Sequence, residues 1–327
     1  MSPRATKDRG AVLLTTLLVM SLMATVAVSI MDDVRFALKR TANVQAYAQA
    51  DWYVSGAEAY AQNYLENLLT KTDTTALNTG LLQGQPIILP LEGGTINLSI
   101  RDGSQCMSLS DLRENDGRRL FRQLLETLGW SSLSAANFTS VATDWIDEDT
   151  QALPGGAEDY AYLGKTPAYR TPNTAFASTG ELRALSGLKT EDYAELRPYV
   201  CARENSPTYI NIDTLSPLQA PLLAALLGGV DNIGTAQSLI TERPAQGYQN
   251  LQILNASNAL ADQTLSGSES AKIVFEPRYI WIEMQVNYQN ITRYAVMEFA
   301  VEDKKLTRIF KRLGADERRP PMIEDPS

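Results

Sequence analysis

The chain has 327 residues, 44% of them hydrophobic, and a formal net charge of −9. That is enough apolar material for a buried core and enough length for two domains, while the acidic balance argues against a general nucleic-acid partner. It has no histidine, which removes Ser-His-Asp and Cys-His catalytic arrangements and every His-ligated zinc or iron site.

The first ten residues, MSPRATKDRG, carry Arg4, Lys7 and Arg9 and end on Gly10. The next 21, Ala11 to Met31, hold no charge. As a helix they span roughly 30 Å, enough to cross a bilayer, and the basic leader predicts a cytoplasmic N-terminus with the rest exported. An ordinary secretory signal has an apolar region of about 7–15 residues followed by a small-x-small site; here Ala27-Val28-Ser29 is a poor candidate. A basic residue, a glycine and then a long apolar helix resembles the prepilin leader of type IV pilins and type II secretion pseudopilins. The resemblance implies that a prepilin peptidase cuts between Gly10 and Ala11. The apolar helix would then stay as a single-pass anchor in a bacterial inner membrane, with the C-terminal domain in the periplasm. The two cysteines of an exported chain, Cys106 and Cys201, read as one disulfide, with two buried free thiols the alternative.

No proline occurs between Pro3 and Pro86, and Gly56 is the only glycine between Gly10 and Gly80. Apolar residues recur at three- and four-residue spacing: Val34, Leu38, Ala42, then Tyr53, Ala57, Tyr60, Tyr64 and Leu68. The pattern predicts one helix from about Ala11 to about Leu69, with its second half packed on a globular body. Ile96, Leu98 and Ile100 alternate with polar residues, as do Tyr279–Tyr288 and Thr292–Val301, and Leu306–Lys311 makes a third late strand. Asn287-Tyr-Gln-Asn290 supplies turn chemistry. Between these strand regions the pattern is helical, over Leu109–Leu128, Val141–Ile146, Thr179–Leu185, Thr190–Tyr199, Ser216–Leu227 and Gly234–Thr241.

A sheet split by a helical insertion, behind a long N-terminal helix, resembles the K-type minor pseudopilin of type II secretion. The implied fold class is α+β: the pseudopilin fold, a long helix plus an antiparallel sheet, with a large all-α insertion. The parts are a leader at 1–10, a helix at 11–70 with 11–31 in the membrane, and sheet halves at 71–109 and 276–312. The insertion is 110–275, and a tail at 313–327 reads as disordered.

The densest polar cluster, DWIDEDTQALPGGAED, holds six carboxylates (Asp144, Asp147, Glu148, Asp149, Glu158, Asp159) and no basic residue. Gly155-Gly156 lets the chain double back, so the two acidic halves can face each other. Close carboxylates repel unless a cation or protons neutralise them, and an oxygen-only set on a flexible loop suits Ca²⁺ better than Mg²⁺. From the residues alone, a solvated acidic loop is the equal alternative. The segment, with Tyr162, resembles the calcium-binding stretch of K-type pseudopilins, D-W-I-D-x-D followed by G-A-E-D-x-x-Y. That implies Asp147, Asp149, Glu158 and Asp159 as ligands, with Gln151 through its carbonyl.

Two further features bear on function. Glu181–Tyr193 and Tyr209–Leu218 resemble helix-hairpin-helix units, which in other settings meet DNA phosphates. The stretch from Gly180 to Leu254 carries eight acidic and five basic residues, however, net −3, a poor phosphate binder. In pilins the fifth mature residue is usually Glu, which meets the N-terminal ammonium of a neighbour. Here it is Thr15, a departure shared by K-type pseudopilins that fits a subunit with no predecessor. The reading is a non-enzymatic minor pseudopilin at the tip of the pseudopilus, initiating or capping assembly with other minor pseudopilins as partners. Their docking would use the helix after Met31, including Val34, Leu38 and Tyr53. Other classes are a pilin-like DNA-uptake protein, and a membrane-tethered metal-dependent hydrolase that lacks both His and a nucleophile motif.

Overall fold

The computed structural model describes residues 7–261, 264–265 and 267–315. Residues 1–6 of the leader and 316–327 of the tail lie outside them. Helix α1 runs unbroken from Lys7 to Lys71, because nothing in it interrupts the i→i−4 ladder. Thr15, Thr16, Ser21 and Thr25 each donate their hydroxyl to the carbonyl three residues back, at 2.8–2.9 Å. Their polar atoms are therefore satisfied within the helix, as an apolar surrounding requires.

The second half of α1 packs through Ala46, Ala50, Val54, Ala57, Ala61, Leu65 and Leu69, all buried. Of the expected stripe Ala57 is buried on this face, and Tyr53 and Leu68 pack against its edge half-buried. Tyr60 and Tyr64 are exposed and stack on each other, with centroids 6.3 Å apart, and Tyr53 sits at the edge, 5.3 Å from the Tyr288 ring. The reason is distance. Alanines let the helix backbone settle close to the sheet, whereas a tyrosine there would hold it off and need a buried partner for its hydroxyl. A second helix, α2 (Thr74–Gln83), was not expected; Asp73 caps it through Ala76 N–H at 2.8 Å, and Gly84 ends it in the left-handed region.

The chain then forms β1 (Ile87–Leu91) and β2 (Gly94–Asp102). It enters the insertion through β3 (Met107–Ser108), α3 (Asn115–Thr127), α4 (Ser132–Asp144) and α5 (Asp159–Leu163). Next come α6 (Thr190–Leu196), β4 (Val200–Cys201), β5 (Ile210–Asn211), α7 (Ala220–Leu226), α8 (Ile233–Thr241) and β6 (Ile273–Val274). The sheet resumes with β7 (Tyr279–Tyr288), β8 (Ile291–Glu302) and β9 (Lys305–Leu313). Its order is β1-β2-β7-β8-β9, antiparallel throughout, and the late strands lie where the alternation put them. The insertion is helical, but the all-α description needs one amendment. Two-residue parallel ladders, β3 with β4 and β5 with β6, tie its returning segments to its root. Strands that short carry no readable period.

The insertion has its own apolar core, separate from the one between α1 and the sheet. The two bodies are fastened to each other at the root of the insertion. Cys106 and Cys201 form a disulfide with Cα atoms 5.8 Å apart. The Arg203 guanidinium, fully buried, meets Glu298 on β8 through two hydrogen bonds of 2.6 and 2.9 Å and also donates to Gly103 O. It lies 3.9 Å from the Tyr279 ring centroid. Buried Asp102 accepts from Ser104 N–H, Asn211 Nδ2 and Thr214 Oγ1, and burial raises its pKa above the ordinary carboxylate value.

Removing one member of a buried ion pair strands the other. Arg203→Ala should therefore cost about 3–5 kcal/mol in urea unfolding of the detergent-solubilised chain, and the apolar double variant Arg203→Met with Glu298→Leu should cost clearly less. Equal losses would show that the pair contributes packing alone.

Candidate functional site

The acidic loop hangs between α4 and α5. Ser131 caps α4, accepting from Ser134 N–H at 3.2 Å, and the helix delivers Asp144 at its end. Asp144 is fully buried, and its two oxygens accept the Leu153 N–H at 3.2 and 3.3 Å. This pulls the chain back on itself. A Cβ on Gly156 would fall 2.0 Å from Asp144 Oδ2, and Gly155 has φ +78°, so the double glycine is a steric requirement of the turn.

The fold brings Asp147, Asp149 and Glu158 together, with carboxylate oxygens within 4.8 Å of one another. Glu158 is 2% exposed. Its Oε1, and Oδ1 of Asp147, are buried with no hydrogen-bond donor. Burial first, then the charges of Asp144 and Asp149, push the Asp147 carboxyl up to about 6. Burial, followed by Asp144 and Asp147, raises Glu158. Acids that resist ionisation, with oxygens facing no donor, suit a hard cation with oxygen ligands, and no nitrogen or sulfur ligand enters the cluster. The residues present fit Ca²⁺.

The remaining expected ligands sit differently. Asp159 points to the following loop, where it accepts from Thr171 N–H and Oγ1 at 3.0 Å and pairs with Arg170 at 3.3 Å. It anchors that loop instead of joining the three. Gln151 is exposed, and its N–H donates to Asp149 Oδ1 at 2.8 Å, so it orients that carboxylate. Asn173 was missed. It lies 24 residues beyond Asp149, and its Nδ2 reaches the Asp149 carbonyl at 3.3 Å; nothing in a Thr-Pro-Asn-Thr stretch marks it. The aromatic group of Trp145, Tyr162 and Tyr169 supports the loop from below, with centroids 5.3–6.3 Å apart.

Of the segments compared with helix-hairpin-helix units, Glu181–Tyr193 runs from a 3-10 turn into α6, and Tyr209–Leu218 holds β5 and enters a 3-10 turn; the turn between α7 and α8 lies beyond both. Gly228, Gly229 and Asn232 N–H donate to Ala225, Ala224 and Gly229 carbonyls, leaving none of these three for a phosphate.

A long helix with an apolar first half, laid on an antiparallel sheet with a helical insertion, defines a pilin-like subunit. Its one helix long and apolar enough to cross a membrane, among the described residues, is α1. The sequence profile of "Type II secretion system (T2SS), protein K" matches residues 97–205 and 210–275. The chain is 32% identical over 298 residues to type II secretion system protein K of Aeromonas hydrophila, covering 85% of this chain and 90% of that one. It is 30% identical over 292 residues to the protein of the same name from Pectobacterium carotovorum subsp. carotovorum, covering 86% and 88%. The chain belongs to the type II secretion system protein K family. Its fold matches a chain in the GspK-GspI-GspJ complex of enterotoxigenic Escherichia coli, with TM-score 0.70 and 23% identity over 85% of this chain and all of that one.

Without metal, Asp147 binds its proton more tightly folded than unfolded, so its contribution to stability falls as pH rises from 3.8 to about 6. In chelator, Asp147→Asn should melt with the wild type near pH 4 and above it by pH 7. A difference that does not change with pH would contradict the buried-charge account.

Proposed function

We propose that this chain ends the pseudopilus of a type II secretion system, as a membrane-anchored structural subunit with a calcium-stiffened head. Family membership makes it a secretion component, and the fold is that of a pseudopilin. The observation carrying the terminal position is where the insertion sits. It contacts α2, just past the C-terminal end of α1, through Thr75 with Gln246 and Asn78 with Phe275. That is the end remote from the apolar run Ala11–Met31, so the head blocks any subunit that would continue the rod there. Thr15 in place of a glutamate agrees, because a first subunit needs no carboxylate for a predecessor's ammonium.

The flanks of α1 are left for partners, which we take to be GspI- and GspJ-type subunits like those in the matched complex. Val34 and Leu38 are exposed, as expected of docking residues, while Tyr53 is engaged with Tyr288. Trp52, 74% exposed, takes its place. It lies 18 residues from Val34, about five full turns, on the same helix face. Trp52→Ala should reduce recovery of these partners with the full-length chain after detergent extraction, whereas Tyr160→Ala on the head should not. Equal recovery from both would contradict this face.

Two buried carboxylate oxygens without donors carry the calcium reading. Ca²⁺ binding only the native state raises stability by RT ln(1 + [L]/Kd). Calcium should therefore raise the melting temperature of the full-length chain over EGTA, with magnesium unable to replace it. Asp147→Ala with Asp149→Ala should abolish the response, and Glu148→Ala should keep it. Superimposed curves in calcium and EGTA for the wild type would contradict the site. Processing between Gly10 and Ala11, both within α1, belongs to the same proposal.

A further inference from the structure

The seam between α2 and the insertion is braced but not filled. Thr75 donates its hydroxyl to the Gln246 carbonyl at 3.2 Å, and Asn78 Nδ2 donates to the Phe275 carbonyl at 2.9 Å. Asn211 holds the other end of the Asn78 amide, donating to its Oδ1 at 3.1 Å. Beside these braces lies a cleft of about 490 Å³, walled by α2, the 246–249 turn and the 273–276 stretch. That is within the roughly 300–1,000 Å³ of ordinary binding clefts. None of the acidic-turn carboxylates lines it.

Two features of the cleft specify an occupant, and the first is main chain. β5 and β6 form a parallel ladder, in which the Val274 carbonyl accepts from Ile212 N–H at 3.2 Å. Val274 thus spends its main-chain groups on β5, and Ile273 turns its own to the opposite side, as neighbours along a parallel strand do. Ile273 and Phe275 both line the cleft, and the Phe275 carbonyl already accepts there from Asn78. β6 therefore presents an edge to the cavity, the kind of element to which an extended peptide adds a strand.

The second feature is charge. Asp213 lines the cleft and is 6% exposed. Its oxygens accept the main-chain N–H groups of Tyr248 at 2.8 Å and Gln249 at 3.4 Å. Gly247 lets the turn close this tightly, for a Cβ there would fall 2.6 Å from Asp213 Oδ2. Burial raises the Asp213 pKa, and those N–H groups and Arg243 only partly offset it. Arg243 itself donates to the Ile212 and Leu215 carbonyls, and Arg278 at the rim pairs with Glu276 at 3.7 Å. The charge left to be met in the cleft is negative.

We propose that this cleft binds an extended peptide segment of another protein, which lies along β6 and sends a lysine or arginine side chain to Asp213. The site needs no metal and does not rest on the calcium reading. Walls already fixed by Thr75 and Asn78 reduce the ordering that binding costs.

The test uses arrays of blocked hexapeptides with Lys, Arg, Ala or Glu fixed at the third position and mixtures elsewhere, probed with the full-length chain in detergent. The Lys and Arg arrays should retain at least about tenfold more chain than the Ala and Glu arrays, the scale of a close charge pair. Backbone N-methylation on either side of the fixed residue should remove that retention, because it blocks strand pairing. Asp213→Asn should lose the preference for Lys and Arg. Gln246→Trp crowds the mouth from an exposed position and leaves Asp213 intact; it should lose binding while melting with the wild type. Equal retention on all four arrays, a preference for Glu, or full binding by Gln246→Trp overturns the proposal. So does retention that survives N-methylation, since a pocket for a lone cationic side chain would behave that way.

Discussion

The pairing of β2 with β7 is the constraint on which the rest of the molecule depends. These strands are neighbours inside the five-stranded sheet, and their register ends with Asp102 opposite Ile280. The chain therefore leaves the sheet and re-enters it at adjacent points. A large helical body can hang from that spot without opening the ladder, because its two roots are already one strand spacing apart. The fastenings cluster at the same place: the Asp102 network, the disulfide, and the Arg203 fork on Glu298. Polar groups this deep are costly unless fully paired, and here they fix how the head is seated. The sheet in turn rests on the alanine face of α1, so the membrane helix and the head are mechanically one piece.

Electrostatics divides the head into a settled and an unsettled part. At the junction the buried Arg203 charge meets Glu298, and Asp102 is held by neutral donors. The turn after α4 carries buried charge of one sign, and the positive charge of Arg118 only partly opposes the effect of Asp147's acidic neighbours. Such a turn is stable in one of two ways, by taking up protons or by taking up a metal ion. Under the proposed function the second holds, and the rigidity of the head's outer side follows the calcium concentration around it.

Much of this was legible in the sequence, for identifiable reasons. Alternation within Tyr279–Tyr288 and Thr292–Val301 is what a sheet with one face on a helix imposes, and both strands formed there. The absence of proline and near-absence of glycine after Gly10 fixed the length of α1. Which face of α1 packs was not legible, because a tyrosine stripe and an alanine stripe both have helical spacing; only the width of the gap to the sheet selects the alanines. Asp147, Asp149 and Glu158 could be named from one acidic segment, but Asp159 could not be separated from Glu158 by position. Its partners, Arg170 and Thr171, come from a loop with no local signature. Arg203 and Glu298 lie 95 residues apart in sequence and belong to different bodies, so no window on the sequence could pair them.

The account turns most on the metal. Elemental analysis by inductively coupled plasma mass spectrometry, on full-length chain purified without chelator and dialysed against metal-free buffer, measures it directly. The account predicts calcium retained at a stoichiometric level in the wild type and lost from Asp147→Ala with Asp149→Ala. Magnesium in its place, or calcium at the same trace level in both proteins, would contradict it.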